Sequence, residues 1–117
     1  MAAVTEHGEV RAALSNTLVA LMKEHYGKGP TAAKSFVNDE YVVTVLEGGI
    51  TRNEQTLLEA GNETLVREFR LAFQRAVEAE FCSAVERITE RRVLAYHSQI
   101  VFDPPRSFEM FILDRPL

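Results

Sequence analysis

Residues 62–92, NETLVREFRLAFQRAVEAEFCSAVERITERR, hold the longest amphipathic pattern in the chain. At 100° per residue, Val66, Phe69, Phe73, Val77, Phe81, Ala84 and Ile88 fall within an arc of about 120°. An apolar stripe of that width is what a helix lays across a sheet. The spacing therefore predicts a long helix capped by Asn62 and running to about Arg91, with the phenylalanines as its buried anchors. Beside the stripe run the small side chains Ala72, Ala76, Ala79 and Ser83. They would let a second helix approach closely, either the chain's own first helix or that of a symmetry mate. Glu78, Glu80, Glu86 and Glu90 alternate with Arg75, Arg87 and Arg91 and read as a solvated face whose pairs contribute little. Arg70 differs, because it projects into the stripe about 40° from Val66. A guanidinium there must snorkel out, anchor on a carboxylate or backbone partner, or hold an anionic ligand.

Upstream, Thr51 followed three residues later by Glu54 forms a capping box with Ile50 as its staple, so a short helix starts there and stops at Gly61. Before it, AAKSFVNDEYVVTVLEGG reads as a hairpin of Ala33 to Val37 and Tyr41 to Leu46 around Asn38-Asp39, ended by Gly48-Gly49. Val42, Thr44 and Leu46 share one face of the second strand, and Tyr41, Val43 and Val45 the other. Val10, Ala13, Leu14, Thr17, Leu18, Leu21 and His25 recur at helical spacing, with Lys23 and His25 in the last turn.

The stretch that follows, HYGKGPTAAKSF, superficially resembles a phosphate-binding loop. Spacing removes the likeness: Met22 stands where the first glycine belongs, and Gly29 where Ser or Thr should follow the lysine. The loop also follows a helix instead of opening one. Gly27 is expected to end the helix in a left-handed conformation, with Pro30 blocking its continuation and Lys28 in solvent.

Downstream, RVLAYHSQIVFD and SFEMFILD form a second hairpin joined by Pro104-Pro105-Arg106. Leu94, Tyr96, Ser98, Ile100 and Phe102 share one face, and Phe108, Met110 and Ile112 alternate against Glu109, Phe111 and Leu113. The expected architecture is a single α+β domain over residues 1–117, a two-layer sandwich in the order α-β-β-α-α-β-β, with both hairpins in a mainly antiparallel sheet packed by the long helix. Apolar residues on both faces of the last hairpin, Phe111 and Leu113 among them, together with the line of small residues predict a homodimer.

With 117 residues, 46% of them hydrophobic, the chain can bury one ordinary core. A net charge of −4 argues against a general affinity for nucleic acid. The longest uncharged stretch, Ala12 to Met22, is too short and polar to span a bilayer, and MAAVTEHGEV lacks the regions of a signal peptide, so a cytoplasmic protein without direct membrane insertion is expected. Cys82 is alone, and His7, His25 and His97 stand in no ligand spacing, so neither a metal nor a cofactor is expected. Cys82 reads as a small packed side chain. His97 faces outward from a strand or acts as a general base. No catalytic residue is pinned by a motif. The possible ligand or partner contacts are Lys28, Arg70 and His97.

Five motifs, YGKGP at 26–30, T-x-x-E-x-x-L at 51–57, VREFRLAF at 66–73, RRV at 91–93 and the closing FEMFILD, resemble the bacterial MpsC-like family over most of the chain. Glu90 departs from the pattern, standing where a glycine often precedes the basic pair. The family is named for a component of a sodium-translocating, membrane-potential-generating system whose membrane subunits resemble inorganic-carbon or cation transport proteins. The resemblance implies a small non-catalytic accessory or regulatory module at the cytosolic face of such a transport complex. The alternative is a small-molecule or anion sensor, or an enzyme, using the Gly27 to Gly29 turn and Arg70. The resemblance assigns no catalytic residue.

Overall fold

The computed structural model describes residues 7–117, so the N-terminal reading over residues 1–6 lies outside the described residues. The described elements are α1 (Gly8–Tyr26), β1 (Ala32–Asn38), β2 (Tyr41–Glu47), α2 (Arg52–Glu59), α3 (Glu63–Thr89), β3 (Val93–Phe102) and β4 (Pro105–Leu113). This is the α-β-β-α-α-β-β order expected from the sequence. All strand pairs are antiparallel and the sheet order is β1-β2-β4-β3. The second hairpin therefore joins the first through its last strand.

Local chemistry sets the boundaries. Gly27 ends α1 at φ 79°, donating its N–H to the Lys23 carbonyl, in the left-handed conformation that a side chain would oppose. The capping box of α2 is complete, with Thr51 Oγ1 accepting from the Glu54 N–H and Glu54 Oε1 accepting from the Thr51 N–H. Asn62 holds the N-cap position of α3, but its side chain makes no capping bond. Glu90 ends α3 in a left-handed conformation, φ 55°. The first hairpin turns on Asp39 and Glu40, one residue later than expected, with Asp39 at φ 56°. The second turns on Asp103 and Pro104, so Pro105 and Arg106 lie within β4.

Leu14, Leu18 and Met22 of α1, Phe81 and Val85 of α3, and Val42, Leu46, Phe111 and Leu113 of the sheet form one core. The buried face of α3 runs through Val66, Arg70, Gln74, Phe81, Ala84, Val85 and Thr89, which rotates it about 50° from the stripe centre read from the sequence. Phe69 is consequently 50% exposed and Phe73 only half-buried, against the expectation that both anchor the core. The rotation follows from polar packing, since Arg70 and Gln74 turn inward to hydrogen-bond partners and carry the phenylalanines out with them. Ala72, Ala76, Ala79 and Ser83 are exposed, so α1 packs against a different side of α3. Two further expectations are corrected. Leu94 is 66% exposed because the register shifts between Val93 and Ala95, and that bulge turns it off the helix-facing side. Phe111 and Leu113 are buried beneath the helices and offer no surface to a partner.

The sheet's other side carries no helix among the described residues. Across it run the registered rows Phe36, Val43, Met110, His97 and Asn38, Tyr41, Ile112, Ala95. Phe36, Tyr41, Met110 and Ile112 are exposed there. No helix of the described residues is long and apolar enough to cross a membrane.

Candidate functional site

Arg70 is 6% exposed and gathers the ends of several elements. Its Nε donates to Glu54 Oε2 at 2.6 Å and its Nη2 to Glu54 Oε1 at 2.5 Å, a two-point clamp on a residue 16 positions earlier. Nη2 also donates to the Gly49 carbonyl at 2.9 Å, and the Tyr26 ring lies 4.1 Å from the guanidinium carbon. Burial alone would raise the Glu54 pKa, but hydrogen bonds from Arg70 and Thr51 and the arginine's charge together hold it below the ordinary value of 4.5. One carboxylate thus caps α2 and neutralises the charge that α3 buries.

Deeper under the helices lies Glu109 of β4, fully buried. Its Oε2 accepts from the hydroxyls of Ser98, at 2.8 Å, and Ser107, while its Oε1 meets the Tyr96 hydroxyl. Tyr96 also contacts Gln74 Oε1 at 2.8 Å, and Gln74 Nε2 donates to the Tyr26 hydroxyl at 3.2 Å. Burial raises the Glu109 pKa, and the three hydroxyls offset part of that rise. Tyr96 is raised too, by burial and then by Glu109, and burial pushes Tyr26 up to about 12. Proton counting allows two arrangements of this network. A phenol has one hydrogen, so when Tyr96 donates to Gln74 the Glu109 carboxyl must be protonated to complete the contact. When Glu109 ionises, Tyr96 donates to it and the Gln74 amide turns to donate in its place, an exchange of the two amide ends that hydrogen-bond logic permits.

Beside this network a pocket of about 150 Å³ opens between α3 and the β3–β4 hairpin, lined by Arg70, Leu71, Gln74, Ser98, Ile100 and Ser107 among others. Arg67 stands at its side, bonded to the Ile100 carbonyl at 2.9 Å and to Glu63 at 2.8 Å. The three candidate contacts from the sequence are only partly brought together. Lys28 is exposed and shares with Arg70 a narrow opening of about 10 Å³. His97 is exposed, pairs with Met110 across the sheet, and borders the larger pocket. The carboxylate partner of Arg70 was anticipated as a type but not as a residue, and Glu109 was missed. Its signal lay in strand parity, which already set Glu109 on the face of Phe111 and Leu113.

A second cluster also escaped the sequence. The ligand atoms of Glu24, His25 and Glu80 lie within 4.8 Å of one another, as a divalent cation would require, although both carboxylates are exposed. The His25 ring sits near Phe73 and Phe81, at 6.1 and 6.5 Å between centroids, and its Nε2 meets Glu80. Spacing gave no sign of it because the two partners are 55 residues apart. Cys82 is half-buried, and burial followed by Glu78 and Glu86 pushes its thiol up to about 11, away from the reactive thiolate.

Comparison with curated proteins and with solved structures finds no match. The family model described as Na+-translocating membrane potential-generating system (MpsC) matches residues 6–115, and on a match spanning nearly its whole length the chain belongs to that family.

Proposed function

We propose that this protein is a cytosolic, non-catalytic accessory module of a sodium-translocating, membrane-potential-generating assembly, and that it works as a homodimer joined through the uncovered sheet face. The family description supports the link to such an assembly. The observation that carries the proposal is the sheet face itself. Its two central strands present Tyr41, Val43, Val45, Phe108, Met110 and Ile112 with no charge among them. The charges lie at the margin, Lys34 on the edge strand and the Glu47 and Arg106 pair at one end, 3.3 Å apart. An apolar centre inside a polar rim is the anatomy of a protein interface.

A second copy is the occupant that fits. Stacked sheets pack about 10 Å apart with their apolar sides interleaved, so an apolar sheet face can be covered by a copy of itself. Four strands at about 4.8 Å and seven residues at about 3.4 Å give a footprint of about 450 Å². Complete overlap of two such faces covers about 900 Å² in projection, and side-chain relief raises the buried area toward the ~1,200 Å² at which specific interfaces begin. The second reading, an anion sensor or enzyme at the Gly27 to Gly29 turn, meets an opening of only about 10 Å³ between Lys28 and Arg70, room for about one water.

Light scattering at tens of micromolar should give twice the 13.2 kDa chain mass, and Met110→Asp should return the protein to a monomer. In cells lacking the chain, a potential-sensitive dye should report recovery with the wild type and not with Met110→Asp. A monomeric wild type, or full recovery with a monomeric variant, would remove the proposal.

A further inference from the structure

Arg70 is not fully used by the fold. Its Nε and Nη2 serve Glu54 and Gly49, while its Nη1, with two N–H groups, makes no hydrogen bond to any described residue. Among the described residues no side-chain nitrogen or oxygen sealed from solvent lacks a partner, so Nη1 keeps access to solvent although the residue as a whole is 6% exposed. Arg70 lines two openings. The one beside Lys28 holds about 10 Å³ and takes a water at most. The other, of about 150 Å³, matches the size of cavity known to accept a six-membered ring.

We propose that the pocket between α3 and the β3–β4 hairpin binds a small organic carboxylate, with its charged end on Arg70 Nη1 and its carbon body against Leu71 and Ile100. The charges favour this class. Arg67 adds a second guanidinium at the pocket, while its partner Glu63 lies out in solvent. Ser98 and Ser107 also line the pocket, but both hydroxyls donate to Glu109, so the charged end of the ligand is left to the guanidinium. Burial holds Glu109 toward its neutral form, so less negative charge stands behind them to repel an anion. Leu71 and Ile100 supply the apolar walls that make a carbon body preferable to a bare inorganic ion. The proposal does not rest on the dimer: the pocket opens on the helix side of the sheet and shares with the uncovered face only His97 and Gln99 of the edge strand β3.

The test uses the full chain with benzoate, benzamide and inorganic phosphate as probes. Benzoate at about 10 mM should raise Tm by about 3 °C or more, because a ligand held only by the folded state stabilises it by mass action. Benzamide and phosphate should move it by less than a third as much. Leu71→Trp fills the pocket from a position 41% exposed, so it should fold normally and lose the benzoate response. Arg70→Lys keeps the charge but removes the guanidinium fork, and should lose the response wherever it folds. No benzoate shift in the wild type would overturn the proposal, as would an equal shift with benzamide or phosphate, or an undiminished one in Leu71→Trp.

Discussion

An arginine in an apolar helix face must reach water or find acceptors, and Arg70 finds Glu54 and the Gly49 carbonyl. Removing one member of such a pair strands the other's charge, at a cost of about 3–5 kcal/mol. Glu54→Ala should therefore lose well over the ~1 kcal/mol typical of a helix cap alone. Urea denaturation measures the difference, and a loss no larger than a cap's would mean that Arg70 finds water once its partner is gone. The two buried carboxylates also titrate with opposite sign. Glu109 has a folded pKa above its ordinary 4.5, so the stability it contributes is complete below that value and is lost as pH rises through the folded pKa. Glu54 has a folded pKa below 4.5, so its contribution is present above that value and is lost as pH falls through the folded pKa. In Tm profiles, Glu109→Gln should flatten the slope on the alkaline side of 4.5 and Glu54→Gln the slope on the acid side. If both variants changed the same limb, one of the two assignments would be wrong.

At the scale of elements, helix ends were the most legible feature because their chemistry is local. Gly27, the Thr51 and Glu54 box and Gly61 each satisfy backbone groups within a few residues. The face of α3 was harder to read. Hydrophobicity centred it on Phe69 and Phe73, whereas the structure centres it on positions whose polar groups have partners elsewhere in the chain, and those partners come from the fold. Phe81→Ala, at a fully buried site, should cost about 3–5 kcal/mol, while Phe69→Ala, half exposed, should cost less than about 1 kcal/mol. Equal losses would restore the stripe as first read. The helix terminus carries a sharper expectation. Glu90 bears a side chain at φ 55°, where L-residues are penalised by about 1–2 kcal/mol and glycine is not. Glu90→Gly should accordingly raise stability by about 0.5–1 kcal/mol, whereas Gly27→Ala, at φ 79° with no atom near the added carbon, should lower it by about 1 kcal/mol through backbone strain alone. Lys28→Ala, on the exposed turn beside Gly27, should change stability by less than about 0.5 kcal/mol.

For the molecule as a whole, the fold class followed from element order, but the faces left for partners depended on strand order and helix rotation. Once β4 lies between β2 and β3, the row of Val43, Met110 and His97 becomes continuous, and no pattern within a single strand reveals that. Two surfaces compete as the dimer contact: this apolar sheet face, and the exposed line of Ala72, Ala76, Ala79 and Ser83 on α3. They can be separated through mass action, because a protein stabilised by self-association melts at a temperature that rises with its concentration. Ala79→Asp places a charge on the helix line and Met110→Asp places one at the centre of the sheet face. Each site is already exposed, so neither change should unfold the monomer, where surface substitutions are usually worth under about 0.5 kcal/mol. With sheet-face association, Met110→Asp abolishes the concentration dependence of Tm and Ala79→Asp preserves it. The reverse pattern would move the interface to the helix line and leave the sheet face to a different partner.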